Sequence, residues 1–289
     1  VVSKGILKMS SRSTGTLCVV LCLHDDWWFV QESIKVTKKT GPCIAFVSRT
    51  SWNGTTGNWE RVVEEANAAG AEVILGDWDN ETDHRREAYR IVRERGYQYA
   101  LIPDGDEVVE PKLLAALSKI AQSELADRVY VHMDTYWKSA RYVIRPREKL
   151  TPAILINLQV VEHQSIRDFK GGTEMTLSPD YGVIHHLSYA GPDERIQRKI
   201  STWSHRNELV PDWYKSVWLG WDTNKLMRNF HPTHPAAYAM AERIEIPEIL
   251  SSVWDERRLQ TSIPLNLRNG RHSVLLFRYT VAATILACA

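Results

Sequence analysis

Over its first half the chain alternates short unbroken apolar runs with amphipathic stretches. Thr16 to Leu23 reads as a continuous apolar run, the pattern of a strand covered on both faces and so of a parallel sheet. His24-Asp25-Asp26-Trp27-Trp28 follows, then a helix from Phe29 to Lys38. Pro42 to Val47 repeats the strand pattern. Ser48 to Asn58 is a polar loop with Trp52, Gly54 and Gly57, and it lacks the Lys-Ser/Thr ending of a Walker loop. Asn58 stands where a cap belongs, Val62, Val63, Ala66 and Ala69 form one helical stripe, and Gly70 ends it. Glu72 to Leu75 is a third strand, with Gly76-Asp77-Trp78-Asp79-Asn80 beyond it. A helix from Asp83 to Arg95 turns Ala88, Ile91 and Val92 inward. A fourth apolar strand ends at Ile102 and runs into Asp104-Gly105-Asp106-Glu107. Pro111 then opens a helix, at the position proline favours, that buries Leu113, Leu114, Leu117 and Ile120. This alternation predicts an α/β fold with a mostly parallel, Rossmann-type mixed sheet flanked by helices.

After Gln122 the pattern loosens. Arg128 to His132, Arg141 to Ile144 and Ala153 to Val161 read as extended pieces around a polar, Pro-containing turn. Phe169-Lys170-Gly171-Gly172-Thr173-Glu174 reads as a loop, and Tyr181 to Tyr189 as a short strand carrying His185 and His186. Pro192-Asp193-Glu194 starts a helix with acids in its first turn, as the helix dipole prefers. Ile196, Ile200 and Trp203 are its buried stripe; Arg195, Lys199 and Arg206 read as a solvated basic face. Val210 to Tyr238 is rich in Trp, His and Pro and has little periodicity, as in a lid, an acceptor-side wall or a long packed loop. With no repeat or linker, residues 1–205 are expected to form one unit and 206–289 an extension packed on it.

Composition narrows the function classes. The 289 residues are 25% charged with a net charge of +1, an ordinary globular balance with no bulk attraction to nucleic acid. Eleven Trp against five Phe supply rings able to stack on sugars and bases, although buried aromatics are the commoner case. The four Cys form no Cys-x-x-Cys pair, so core thiols in a reducing compartment are expected rather than zinc. Val1 to Gly15 is polar and Ser-rich with no apolar core, which predicts a cytoplasmic protein without a secretory signal. Val274 to Ala289 is apolar but broken by Arg278; it is too short to span a bilayer and leaves a peripheral membrane contact open.

The candidate chemistry lies at the C-terminal ends of the strands, where open α/β sheets bind ligands. Two carboxylates flanking a glycine, Asp104 and Asp106, could hold one hard cation, Mn²⁺ or Mg²⁺, with substrate phosphates completing its shell. The alternative is an acidic turn. Asp79 lies in another loop at the same edge. Arg85 and Arg86 stand near a helix N-terminus, where cations oppose the dipole unless an anionic diphosphate is bound there; Arg86 is the expected phosphate ligand.

Leu23-His24-Asp25-Asp26, Arg85-Arg86, Asp104-Gly105-Asp106-Glu107 and His185-His186-Leu187-Ser188-Tyr189 together resemble a GT-A fold glycosyltransferase of the broad family-2 type, over Leu17 to His205. The resemblance implies transfer of a sugar from a nucleoside-diphosphate-sugar donor to a saccharide, lipid-linked or small-molecule acceptor. It implies that His24, Asp25 and Trp28 hold the base, with capping of the next helix as the other reading of Asp25. Asp104 would face donor and metal, and Asp106 the metal. It implies one further metal ligand from His185 or His186, which point to opposite faces of an extended segment. If the reaction inverts, Glu174 is the expected base. Two rivals stand beside it, a metal-dependent nucleotidyltransferase and a non-catalytic sugar- or nucleotide-binding protein. Oligomeric state is open.

Overall fold

A computed structural model describes residues 17–51, 54–202 and 206–254. The readings made of Val1 to Gly15, Trp52, Trp203, His205, Val274 to Ala289 and Cys288 lie outside the described residues. β1 (Leu17–Leu23), α1 (Val30–Thr37), β2 (Cys43–Ser48), α2 (Trp59–Ala68), β3 (Glu72–Gly76), α3 (Glu81–Glu94) and β4 (Tyr99–Leu101) follow the expected order. Next come β5 (Glu107–Val109), α4 (Pro111–Ser123), β6 (Arg128–Tyr130), β7 (Met133–Arg145), β8 (Ala153–Asn157), β9 (Glu162–Ser165), β10 (Asp168–Lys170) and β11 (Glu174–Thr176). β12 (Ile184–Ala190), α5 (Asp193–Thr202), a π-helical turn at Tyr214–Leu219, β13 (Met240–Arg243) and α6 (Glu248–Ser251) complete them.

The large sheet has the order β11-β6-β8-β4-β1-β2-β3. β1 pairs in parallel with both β2 and β4, β2 with β3, and β8 runs antiparallel to its neighbours β4 and β6. The expected mostly parallel mixed sheet is therefore present. Alternation along β1 explains its layers: Leu17, Val19, Leu21 and Leu23 join one core with α1, α2 and α4, while Cys18 and Val20 join a second core with α3. Burial pushes the thiols of Cys18, Cys22 and Cys43 up to about 12, as expected of inert core cysteines.

A second, four-stranded sheet has the order β13-β7-β12-β5. The chain leaves the large sheet at β4 and enters the small one at β5. Asp104 and Asp106 sit in the turn between, so the acidic motif lies at the seam of the two sheets. Gly105 is needed there for packing: a Cβ would stand 2.7 Å from Leu23 Cδ2. The glycine makes room for the core.

Several sequence-level expectations shift. The strand expected at Arg128 to His132 ends at Tyr130, and β7 is far longer than the Arg141 to Ile144 piece. Phe169 to Glu174 is not wholly loop, since β10 and β11 frame its glycines. The described residues after Arg206 fold onto the small sheet. β13 pairs with β7, and Trp213, Trp218, Trp221, Phe230 and Tyr238 pack around the fully buried Trp137. The aperiodic Trp-rich stretch is thus core, built from rings whose centroids lie 4.5 to 6.3 Å from that of Trp137.

Trp137→Ala is therefore expected to destabilise the protein by about 3–5 kcal/mol, the range for a buried aromatic truncated in a packed core. Urea unfolding followed by circular dichroism checks this; a loss under 1 kcal/mol would mean that the aromatic cluster does not tie the segment down.

Candidate functional site

The C-terminal edge of β1 and β4 opens into a cavity of about 350 Å³. His24, Asp25, Asp26 and Trp28 reach it from the loop after β1, Asp104 to Asp106 from the turn after β4, and Arg85 from α3. His186 comes from β12, and Arg195, Arg198 and Lys199 from α5. Six carboxylates face the cavity (Asp25, Asp26, Glu81, Asp104, Asp106 and Glu148) against four Lys and Arg side chains, a formal excess of two negative charges.

Most of these charges are paired. Asp104 Oδ1 accepts from Arg85 Nη2 at 2.7 Å. Asp106 Oδ2 accepts from Lys199 Nζ at 2.7 Å and Arg195 Nη2 at 3.1 Å. Burial alone would raise both carboxyls. Arg167 and Arg85 outweigh it at Asp104, and Lys199, His186 and Arg195 do so at Asp106, so both acids are held below the ordinary aspartate value. Glu107 leaves the cavity altogether. It binds Arg167 through both oxygens, at 2.8 and 2.7 Å, and caps the backbone N–H of Asp104 at 2.9 Å.

Arg195 is only 4% exposed and spends its guanidinium on fixed partners. It pairs with Asp26 through Nε and Nη2, and its Nη1 donates to the carbonyls of Leu187, Ser188 and Ala190. Burial would lower its pKa, but Asp26 and Asp106 raise it, so the charge persists. Arg198 pairs with Asp25 and donates to Thr56 O at 3.1 Å.

The predicted residues are only partly brought together. His24, Asp25, Trp28, Asp104, Asp106 and His186 line the cavity. Asp25 also acts as a cap, yet on a different helix from the one expected: its Oδ1 accepts from Asn58 N at 2.7 Å at the start of α2, where the Asn58 side chain makes no cap bond. Trp28 stacks on Trp27 with centroids 4.2 Å apart. Burial lowers the pKa of His24 against the opposing pull of Asp25.

Four of the expected site residues, Arg86, Asp79, His185 and Glu174, do not line the cavity. Arg86 is 55% exposed in its side chain and pairs with Asp83 on the surface. Arg85 faces inward instead, because it stands three and seven residues before the buried Ala88 and Val92. Asp79 is exposed and does not reach the cavity. His185 turns to the opposite face of β12 from His186, where its Nδ1 is 2.9 Å from Tyr136 Oη and its Nε2 is 3.2 Å from Glu110. Glu174 lies on β11, the far edge of the large sheet, with its side chain 66% exposed and paired to Arg128 at 3.2 Å.

Sequence reasoning found the α5 helix but missed the place of its basic face in the site, and it missed Glu148. Arg195, Arg198, Lys199 and Thr202 recur at helical spacing, the signal of one continuous face, but such a face reads as solvated unless its acidic partners are known.

Among the described residues no group of three or more His, Cys, Asp or Glu could hold a metal ion. Two carboxylate oxygens, Asp104 Oδ2 and Asp106 Oδ1, accept no hydrogen bond from a described residue, and His186 Nε2 stands 3.7 Å from the latter. Mg²⁺ is commonly held by one or two carboxylates with substrate phosphates completing the shell. These two oxygens and the excess of two negative charges fit a divalent cation.

No protein-family model matches the chain, and no curated relative does. Among solved structures, S. aureus TarS 1-349 is similar at 11% identity and a TM-score of 0.42, covering 73% of each chain. The same protein in complex with UDP-GlcNAc aligns at a TM-score of 0.32 over 42% of this chain and 35% of that one. The CMP:2-keto-3-deoxy-manno-octonic acid synthetase complexed with CTP aligns at 9% identity and a TM-score of 0.32, over 50% of this chain and 75% of that one. Likenesses this distant do not decide a function, which rests on the site itself.

Asp106 lies between two cations, so Asp106→Asn leaves Arg195 and Lys199 short of a counter-charge in a mostly buried place. A loss of about 3–5 kcal/mol is expected, as for one partner removed from a buried pair. Because the folded pKa lies below the unfolded one, the parent's advantage is full above about pH 5 and shrinks as pH falls below about 4. Urea denaturation of both proteins at pH 7 and pH 3.5 measures this; an equal difference at both pH values would contradict it.

Proposed function

We propose that the protein transfers a sugar from a nucleoside-diphosphate-sugar donor to a hydroxyl-bearing acceptor, a saccharide, a lipid-linked sugar or a small molecule. The single observation that carries this reading is the position of α5. Its Lys199 bonds Asp106 of the acidic turn and its Arg198 bonds Asp25 of the loop after β1, both in the cavity at the C-terminal edge of the parallel strands. Cations facing carboxylates across a cleft give a diphosphate its charge partners and leave the acids a part in holding a cation.

In this reading the base lies near His24, Asp25 and Trp28. Arg198 and Lys199 take the diphosphate, exchanging contacts with Asp25 and Asp106 for phosphate oxygens. Arg85 holds Asp104 in place through the 2.7 Å bond. Asp104 and Asp106, with His186 beside them, would hold Mn²⁺ or Mg²⁺, which when bound supplies positive charge against the departing diphosphate. His185 and Arg86 have no part.

The nucleotidyltransferase rival would use the same edge and carboxylates but attack phosphorus. It lacks support in the loop after β1, which carries none of the glycine-rich, basic sequence that cradles a triphosphate. A non-catalytic binding protein would bind donor with no turnover.

Arg198 is half-exposed, so Arg198→Ala is expected to fold and to lose about 1.5 kcal/mol of nucleoside-diphosphate affinity, roughly tenfold. Arg86→Ala is expected to bind as the parent does. Calorimetry with UDP, GDP, CDP and ADP in Mn²⁺ tests both, and no binding of any of the four by the parent would sink the reading. Mn²⁺ alone is expected to leave the thermal midpoint unchanged and to raise it only with the preferred diphosphate present. A midpoint raised by Mn²⁺ alone would show a resident metal site.

A further inference from the structure

Glu148 lines the cavity from the segment between β7 and β8, a stretch from which the sequence offered no chemistry. The other five lining carboxylates each contact an arginine or lysine. Asp25 has Arg198, Asp26 has Arg195, Glu81 and Asp104 share Arg85, and Asp106 has Lys199 and Arg195. Glu148 forms no ion pair with a described residue, and its buried Oε1 has no hydrogen-bond partner. A buried carboxylate oxygen without a donor is costly, and a ligand hydroxyl placed there would remove the cost.

Its surroundings suit such a ligand. Burial, and next the Glu148 charge, raise the hydroxyl pKa values of Tyr189 and Tyr238, and a side-chain hydrogen bond with Glu148 adds to this at Tyr238, so the carboxylate lies close to both and only its Oε1 is left without a donor. Asp106 acts on the same two tyrosines, and Lys199 Nζ stands 5.8 Å from the Tyr189 ring centroid. Glu148 therefore shares one chamber with the acidic turn. The exposed Leu150, two residues on, marks the rim on this side.

A general base must accept a proton near the working pH. Asp104 and Asp106 are already bonded to Arg85, Arg195 and Lys199, and Glu174 is on the far edge of the sheet.

We propose that Glu148 is the general base of this site, taking the proton from an acceptor hydroxyl as that oxygen attacks the anomeric carbon of the sugar. The proposal rests on the transfer reading above. The acceptor oxygen forms the new bond to the anomeric carbon and its proton passes to the Glu148 carboxylate. The bond from that carbon to the phosphate oxygen breaks, its electron pair leaves with the nucleoside diphosphate, and configuration inverts. Water serves as acceptor in the slow hydrolysis of the donor.

The test compares Glu148→Gln with the parent, using UDP-glucose, UDP-N-acetylglucosamine and GDP-mannose with water as acceptor. Nucleoside-diphosphate release gives the rate; calorimetry with UDP and GDP gives affinity and reports on the fold. The expected result is a release rate at least about 100-fold lower with affinity within twofold of the parent. The residual rate should also lack the acid-side fall that a protonating base imposes on the parent. A Glu148→Gln rate within threefold of the parent overturns the proposal and leaves the transfer reading standing. Loss of nucleotide affinity along with rate overturns it as well, since Glu148 would then be holding the site together. Absence of both binding and release in the parent overturns the transfer reading and this proposal with it.

Discussion

Arg195 is the constraint from which the site follows. Its guanidinium is buried, and it joins parts of the chain that are far apart in sequence: Asp26 after β1, Asp106 in the turn after β4, and three carbonyls at the end of β12. A buried cation with fewer partners would be expensive to keep. With these contacts it fixes the start of α5 against the seam of the two sheets and lies 4.9 Å from the Phe29 ring. Lysine could not reproduce this fan of donors. Once Arg195 is fixed, helical spacing carries Arg198 to Asp25 and brings Lys199 to Asp106 beside it.

This arrangement makes the acidic turn different from an ordinary surface loop. Asp106 is buried, and its negative charge is matched by the protein before any ligand enters. In the proposed reading the same pairing provides an exchange mechanism, in which a diphosphate displaces the acids held by Arg198 and Lys199, Arg195 stays tied to its backbone carbonyls, and the free oxygens of Asp104 and Asp106 take a cation brought in with the phosphates. The site is therefore preorganised in its buried half and adjustable in its exposed half, where Arg198 is the most accessible of the cations.

Much of the architecture was legible in the sequence because its signal is local. The apolar run from Leu17 to Leu23, the stripe of α2 and the proline at the start of α4 each mark their elements without reference to the rest of the chain. The cavity edge and the motif at Asp104 followed from strand ends alone. The contacts that give the site its character are long-range, as between Arg195 and Asp26, and no spacing rule pairs them. Arg85 could have been preferred to Arg86 from the phase of Ala88 and Val92. Glu148 had no such signal, since an irregular segment has no phase, and Glu174 gained attention only from the glycines beside it. The Trp-rich stretch after Val210 hid its role because its packing partners, Trp137 on β7 and Tyr189 on β12, lie far from it in sequence.

The central claim is that this cavity breaks the bond between a sugar and a diphosphate. Phosphorus-31 NMR of the full chain with a panel of nucleoside-diphosphate sugars and Mn²⁺ observes that bond directly. The account predicts that signals of one donor are replaced by those of free nucleoside diphosphate, with no pyrophosphate formed. Pyrophosphate appearing from a nucleoside triphosphate and a sugar phosphate under the same conditions, with every nucleotide sugar left intact, would contradict it.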